Sequence, residues 1–204
     1  MPTIPLDKPV QFDSAAERRE ADLLGMWAFL ATEVLFFGPL FFGYVHGRLS
    51  APDGFVAASH HMHIVLGTLN TAILMTSSLT MVLSLGAART GATRRLRWLL
   101  AFSAALGLAF LCIKGYEYVT EWSEALRASG GEAQFYFLYY AMTGLHAVHL
   151  TIGIGLVAWL WLHARRFSAA YHSPVEVVGL YWHFVDVIWV FLYPMFYLLE
   201  RYSA

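Results

Sequence analysis

The chain has 204 residues, of which 58% are apolar, 16% aromatic and only 13% charged, with a formal net charge of −1. An ordinary soluble domain carries about 25% charged residues, so this chain has too few charges to cover a water-facing surface, and a polytopic membrane protein is expected. The near-zero net charge gives no electrostatic basis for nucleic-acid binding, and the single cysteine, Cys112, excludes an internal disulfide and disfavours a cysteine-clamped metal site.

Residues 1–22 are polar, hold three prolines and lack the apolar core of a signal peptide, so they read as a polar tail with an interfacial helix at residues 15–22. A bilayer core needs about 20 apolar residues per helix. Five stretches qualify: residues 23–45, 64–88, 98–119, 135–162 and 177–199. No strand alternation is present, which disfavours a β-barrel. The expectation is an all-α bundle of five transmembrane helices forming one domain over residues 23–200, with loops at residues 50–63 and 120–134. The second and fourth spans contain no formal charge, and the third carries Lys114 and Glu117. Being three apart, that pair shares one helix face and can form an ion pair. In the first span, Gly38-Pro39 can loosen the helix.

Alternating spans place nine basic residues on one side (Lys8, Arg18, Arg19, Arg89, Arg94, Arg95, Arg97, Arg165, Arg166) and three on the other (Arg48, Arg127, Arg201), with Lys114 inside a span. The bias predicts a cytoplasmic N-terminus and a C-terminus outside. Arg94, Arg95, Arg97, Arg165 and Arg166 mark topology and are also candidates for anionic lipid headgroups. Trp98, Trp122 and Trp182 fall near the predicted interfaces and read as belt residues. Phe36-Phe37 and Phe41-Phe42 read as lipid or partner contacts.

Polar groups within the spans are the informative residues. Glu33 lies near the middle of the first span and Asp186 near the middle of the fifth. An ionised acid there costs about 2.5–3.5 kcal/mol, so each needs a partner or a proton. His146 and His149 lie mid-span in the fourth helix, and His183 lies three residues before Asp186. Glu33 shares its face with Phe29, Phe36, Phe37 and Leu40, at a depth where it could meet the fourth helix's histidines. Such groups can form a proton relay or a metal site, or they can be interhelical hydrogen bonds that fix the packing. His60, His61 and His63 lie at the outer loop, at a different depth from His146 and His149. That disfavours a membrane di-iron site and reads as a solvated loop. One haem between His146 or His149 and His183 remains open on spacing alone.

Five segments carry a family resemblance. GMWAFLATEVLFF (25–37), LNTAILMTSS (69–78), KGYEY (114–118), TGLHAVHLTIG (143–153) and YWHFVDVIWVFLY (181–193) follow one another as in subunit III of haem–copper respiratory oxidases. The resemblance covers nearly all of residues 22–200. Full-length members have seven helices in two groups around a lipid-filled cleft; this chain resembles the five-helix bacterial form, which lacks the first two. By position, Glu33 resembles the family's membrane glutamate and His46 a histidine at the outer end of the same helix. Glu117, His146, His149, Trp182, His183 and Asp186 also fall on family motif positions, whereas Lys114 replaces an uncharged residue.

The resemblance implies a non-catalytic subunit in the bacterial plasma membrane with no haem, copper or other metal of its own. Haem and copper would belong to the partner, catalytic subunit I, which reduces oxygen to water and pumps protons. Stabilising that subunit, holding structural phospholipid and supporting proton uptake are the implied roles. A subunit of a nitric oxide reductase is the alternative within the family, and a small independent transporter or proton channel is the alternative outside it.

Overall fold

The computed structural model describes residues 15–168 and 171–199. The elements are α1 (Ala15–Ser50), α2 (Pro52–His61), α3 (Ile64–Arg89), α4 (Thr93–Arg127), α5 (Gly130–Leu162), a 3-10 turn (Ala164–Arg166) and α6 (Ser173–Tyr197). Five of these helices are long and apolar enough to cross a membrane. Successive long helices run antiparallel, so the start of α1, the α3–α4 turn and the α5–α6 connection share one end of the bundle.

Local chemistry sets the boundaries. Pro52 and Pro174 sit in the first turns of α2 and α6, where a missing N–H costs nothing. Gly91, with φ of 67°, makes the α3–α4 turn, a backbone conformation that disfavours side chains. Residues 52–61, expected as loop, form α2, and the expected loop at residues 120–134 shrinks to Ala128 and Ser129 between α4 and α5. The segment expected as a separate interfacial helix is the first two turns of α1. Its Ala, Glu and Arg residues favour helix, and Arg19 holds Glu176 of α6 through two 2.9 Å bonds, with Arg89 of α3 on the same carboxylate at 3.3 Å. α1 runs on through Pro39.

Small and hydroxylated residues bring the helices together, as expected where lipid supplies no hydrophobic drive between them. Ser77 of α3 donates to the Ser103 carbonyl of α4 at 3.2 Å, and the Thr80 and Ser103 hydroxyls lie 2.6 Å apart. Trp182 of α6 was expected at the membrane interface. It is instead wholly buried, because two glycines make room for its indole. A Cβ on Gly107 of α4 would lie 2.9 Å from its ring, and one on Gly153 of α5 would lie 3.2 Å away. Its Nε1–H donates to Ser77 at 3.2 Å, so this one side chain touches α3, α4 and α5. Trp98 and Trp122 are exposed. Phe36 and Phe42 are exposed, but Phe37 is buried within the bundle.

At the opposite end, α2 lies on the start of α5 through a Gly54–Gly131 contact. There the Tyr44, Phe55, Phe135 and Phe196 rings pack edge to face at 5.1–5.5 Å between centroids. The Tyr44 hydroxyl donates to the Met195 carbonyl, which ties α1 to α6.

Candidate functional site

The first intramembrane site joins α1, α5 and α6. Glu33 Oε2 lies 3.0 Å from His149 Nε2. His149 Nδ1 lies 2.9 Å from the Leu145 carbonyl of the preceding turn. A carbonyl only accepts, so Nδ1 carries a hydrogen. The Nε2–Oε2 contact then holds one proton, and the pair is neutral whichever atom binds it. This neutral pairing lets an acid and a base sit inside an apolar bundle with side-chain exposures of only 16% and 12%. Tyr181 of α6 donates its hydroxyl to the His149 carbonyl at 3.0 Å, and Phe37 packs on the imidazole at 5.4 Å. The site is thus held by three helices, with one proton between Glu33 and His149.

The second site is a charged cage nearer the α2 end. Lys114 Nζ is 2.9 Å from Glu117 Oε2, 2.9 Å from the Tyr139 hydroxyl and 2.5 Å from the Tyr197 hydroxyl. An ammonium has three N–H groups, and each has an oxygen here. Tyr197 in turn donates to the second oxygen of Glu117. Lys114 and Glu117 are 2% and 0% exposed. The Tyr139 and Trp189 rings lie 4.7 and 5.0 Å from Nζ and add cation–π attraction. One turn further on, buried Glu121 lies 3.6 Å from His63 Nε2. The ion pair follows from the three-residue spacing; the two tyrosines that complete it come from α5 and α6 and carried no signal of their own in the sequence. His60 and His61 end α2 rather than lying in a loop.

The remaining sequence-predicted residues are dispersed. His183 Nδ1 lies 2.7 Å from the Ser78 hydroxyl, beside a groove of about 440 Å³ between α1 and α6 lined by Trp27, Leu30 and Phe184. Asp186 is buried on the next turn with neither carboxyl oxygen in a hydrogen bond. His146 is buried against Trp189 and Phe110 at 5.3 and 5.5 Å, with neither ring nitrogen bonded. It therefore takes no part in the Glu33 site, although it is three residues from His149. His46 is exposed at the far end of α1, stacked on Phe42 at 6.3 Å. Among the described residues, no three His, Cys, Asp or Glu side chains converge in a way that could hold a metal ion.

The sequence matches a known family along its length. A family model described as cytochrome c oxidase subunit III matches residues 16–201, which include every membrane helix. The chain belongs to the cytochrome c oxidase subunit III family. It is 33% identical over 196 residues to a cytochrome c oxidase subunit 3 of Thermostichus vulcanus, covering 95% of this chain and 94% of the relative. It is 32% identical over 181 residues to that of Alkalihalophilus pseudofirmus, covering 86% and 85%. A third relative, named haem–copper oxidase subunit I+III, from Aeropyrum pernix, is 32% identical over 190 residues, which are 85% of this chain and 22% of that protein.

Family membership makes the chain a multi-pass membrane subunit of a haem–copper terminal oxidase, an oxidoreductase complex in which it associates with subunit I and other subunits. In such a complex, haem and copper belong to subunit I. The comparisons support neither the nitric oxide reductase assignment nor the transporter reading.

Proposed function

We propose that this subunit III serves in a bacterial plasma membrane as a non-catalytic stabiliser of the oxygen-reducing subunit. In this reading it also holds structural phospholipid and supports proton uptake. The observation that carries it is the Glu33–His149 pair. It is a neutral, one-proton link between α1 and the rest of the bundle, placed on the helix that buries least of its own surface. A helix so exposed, with Leu24, Trp27, Leu35, Phe36 and Phe42 facing outward, suits packing against lipid or a partner. The joined subunit I+III name of the Aeropyrum pernix relative supports subunit I as that partner. The arginine-rich end of the bundle is assigned to the cytoplasm by the positive-inside rule, with the C-terminus outside.

The test is affinity purification of the tagged chain in mild detergent, with identification of its partners and an absorption spectrum. A haem–copper catalytic subunit should co-purify, and the haem absorption should leave with it when the complex is dissociated. Recovery of the chain with a different catalytic subunit, or alone with its own haem band, would refute the proposal.

A further inference from the structure

Asp186 stands apart from the other buried acids. It is 2% exposed, and neither carboxyl oxygen takes part in a hydrogen bond. An acid kept for packing ties its helix to a neighbour, as Glu33 does through His149. Asp186 ties none, and an ionised carboxylate without a partner is costly in an apolar bundle, so it carries a proton. The ionisable groups of the surrounding helices are engaged elsewhere. On α5, His149 is taken by Glu33 of α1, and His146 lies against Phe110 and Trp189. On α4, Lys114 is taken by Glu117. From α3 comes the Ser78 hydroxyl, the one polar neighbour that bears on the Asp186 carboxyl among the described residues.

Ser78 is also the partner of His183, with 2.7 Å between its hydroxyl and Nδ1. His183 lies about one turn before Asp186 on α6, toward the arginine-rich end. It is half-buried and lines two grooves. One is the α1–α6 groove described above. The other, of about 250 Å³, lies between α1, α3 and α6 and is lined by Trp27, Leu85, Gly179 and Glu176. Glu176 sits in the first turn of α6, about two turns before His183, and its carboxylate is held by Arg19 and Arg89. Gly179, between them, adds no side chain to the groove. The groove therefore has a charged mouth at one end and an imidazole at the other, and that imidazole leads through Ser78 to the buried acid.

We infer that Asp186 is a proton-exchange site of this subunit, holding one proton that passes to and from the arginine-rich end through Ser78 and His183. The inference rests on the reading that the subunit supports proton uptake, and it names the acid and the path. The transfer balances without changing the charge of the imidazole. With Ser78 donating to Nδ1, neutral His183 carries its hydrogen on Nε2, at the ring edge left for the groove. For release, Asp186 turns onto Ser78 and gives its proton to Oγ, Ser78 gives its own hydrogen to Nδ1, and Nε2 loses one to water in the groove. Uptake is the reverse, and His183 passes between its two neutral tautomers. A hydroxyl and an imidazole each donate and accept, which a relay requires.

The test follows the infrared carbonyl band of neutral carboxylic acids in the purified complex after transfer from H2O to D2O. Subtracting the spectrum of Asp186→Asn isolates the Asp186 component; asparagine keeps the shape of a side chain that has no partner to lose. That component should be present at neutral pH and should shift as deuterium enters. Ser78→Ala and His183→Phe should each slow the shift by about a hundredfold, the scale of a positioned proton donor, whereas Ser78→Thr, which keeps a hydroxyl, should exchange at the parent rate. An unchanged rate in both Ser78→Ala and His183→Phe would overturn the path. A missing component, meaning an ionised Asp186, or one that never exchanges, would overturn the site.

If Asp186→Asn fails to assemble, the unsubtracted spectra of Ser78→Ala and Ser78→Thr still decide. A carbonyl component slowed in the first and not in the second is required, and its absence overturns the relay. The exchange is read without oxygen turnover and belongs to this chain's own residues. It can therefore fail while a haem–copper catalytic subunit still co-purifies, and it can persist where that association fails.

Discussion

Replacing Glu33 separates a packing role from an obligatory proton-transfer role. In Glu33→Gln the amide can still donate to His149 Nε2, so a neutral hydrogen bond replaces the 3.0 Å proton-sharing pair. The loss should be about 0.5–1.5 kcal/mol. In Glu33→Ala the imidazole nitrogen keeps no side-chain partner at a position only 12% exposed. Stranding it costs about 1–3 kcal/mol. A loss of about 2 kcal/mol is close to thirtyfold in the equilibrium between packed and separated α1.

The assay is the purified oxidase complex, read for retention of subunit III under rising detergent, for initial oxygen-consumption rate, and for the rate of inactivation during turnover. Glu33→Gln should keep retention and initial rate close to the parent. Glu33→Ala should lose subunit III at lower detergent and inactivate faster, with its initial rate preserved. The pair Glu33→Ala/His149→Ala should cost less than the two single changes added together, because the partner is no longer stranded. An immediate fall of initial rate in Glu33→Gln with subunit III fully retained would refute the packing argument and establish an obligatory proton step.

Three further outcomes follow from the geometry. Lys114→Met leaves Glu117 charged and buried and should destabilise the bundle by about 3–5 kcal/mol, whereas Lys114→Met/Glu117→Leu should regain most of that loss; denaturation in detergent measures both, and additive costs would contradict the cage. Gly54→Ala places a Cβ 2.7 Å from the Gly131 Cα, where only backbone lies, so α2 must lift from α5 at a cost of about 1–3 kcal/mol; unchanged thermal stability would contradict the contact. A periplasmic-type reporter fused after Ala204 should be active outside the cytoplasm, and cytoplasmic activity would refute the five-span orientation.

By itself, the sequence determined the membrane class, the five spans, the Lys114–Glu117 pair and the depth at which Glu33 could meet a histidine. All four depend on one helix at a time: apolar length sets a span, and a three-residue spacing sets a shared face. Which histidine meets Glu33 required tertiary structure. His146 and His149 are about 60° apart around one helix axis. That is enough to turn one toward α1 and the other toward Phe110 and Trp189.

The same limit explains the other differences. Trp182 looked like an interface residue by its place in the chain, and is buried because Gly107 and Gly153, on two other helices, leave its ring a slot. The Lys114 cage takes its tyrosines from 25 and 83 residues away. Which arginines engage Glu176 and which line a groove between α4 and α5 is decided only once the helices are packed side by side. Periodicity fixes what a helix presents on each face, but the rotation of each helix about its axis is settled by which small residues let its neighbours approach.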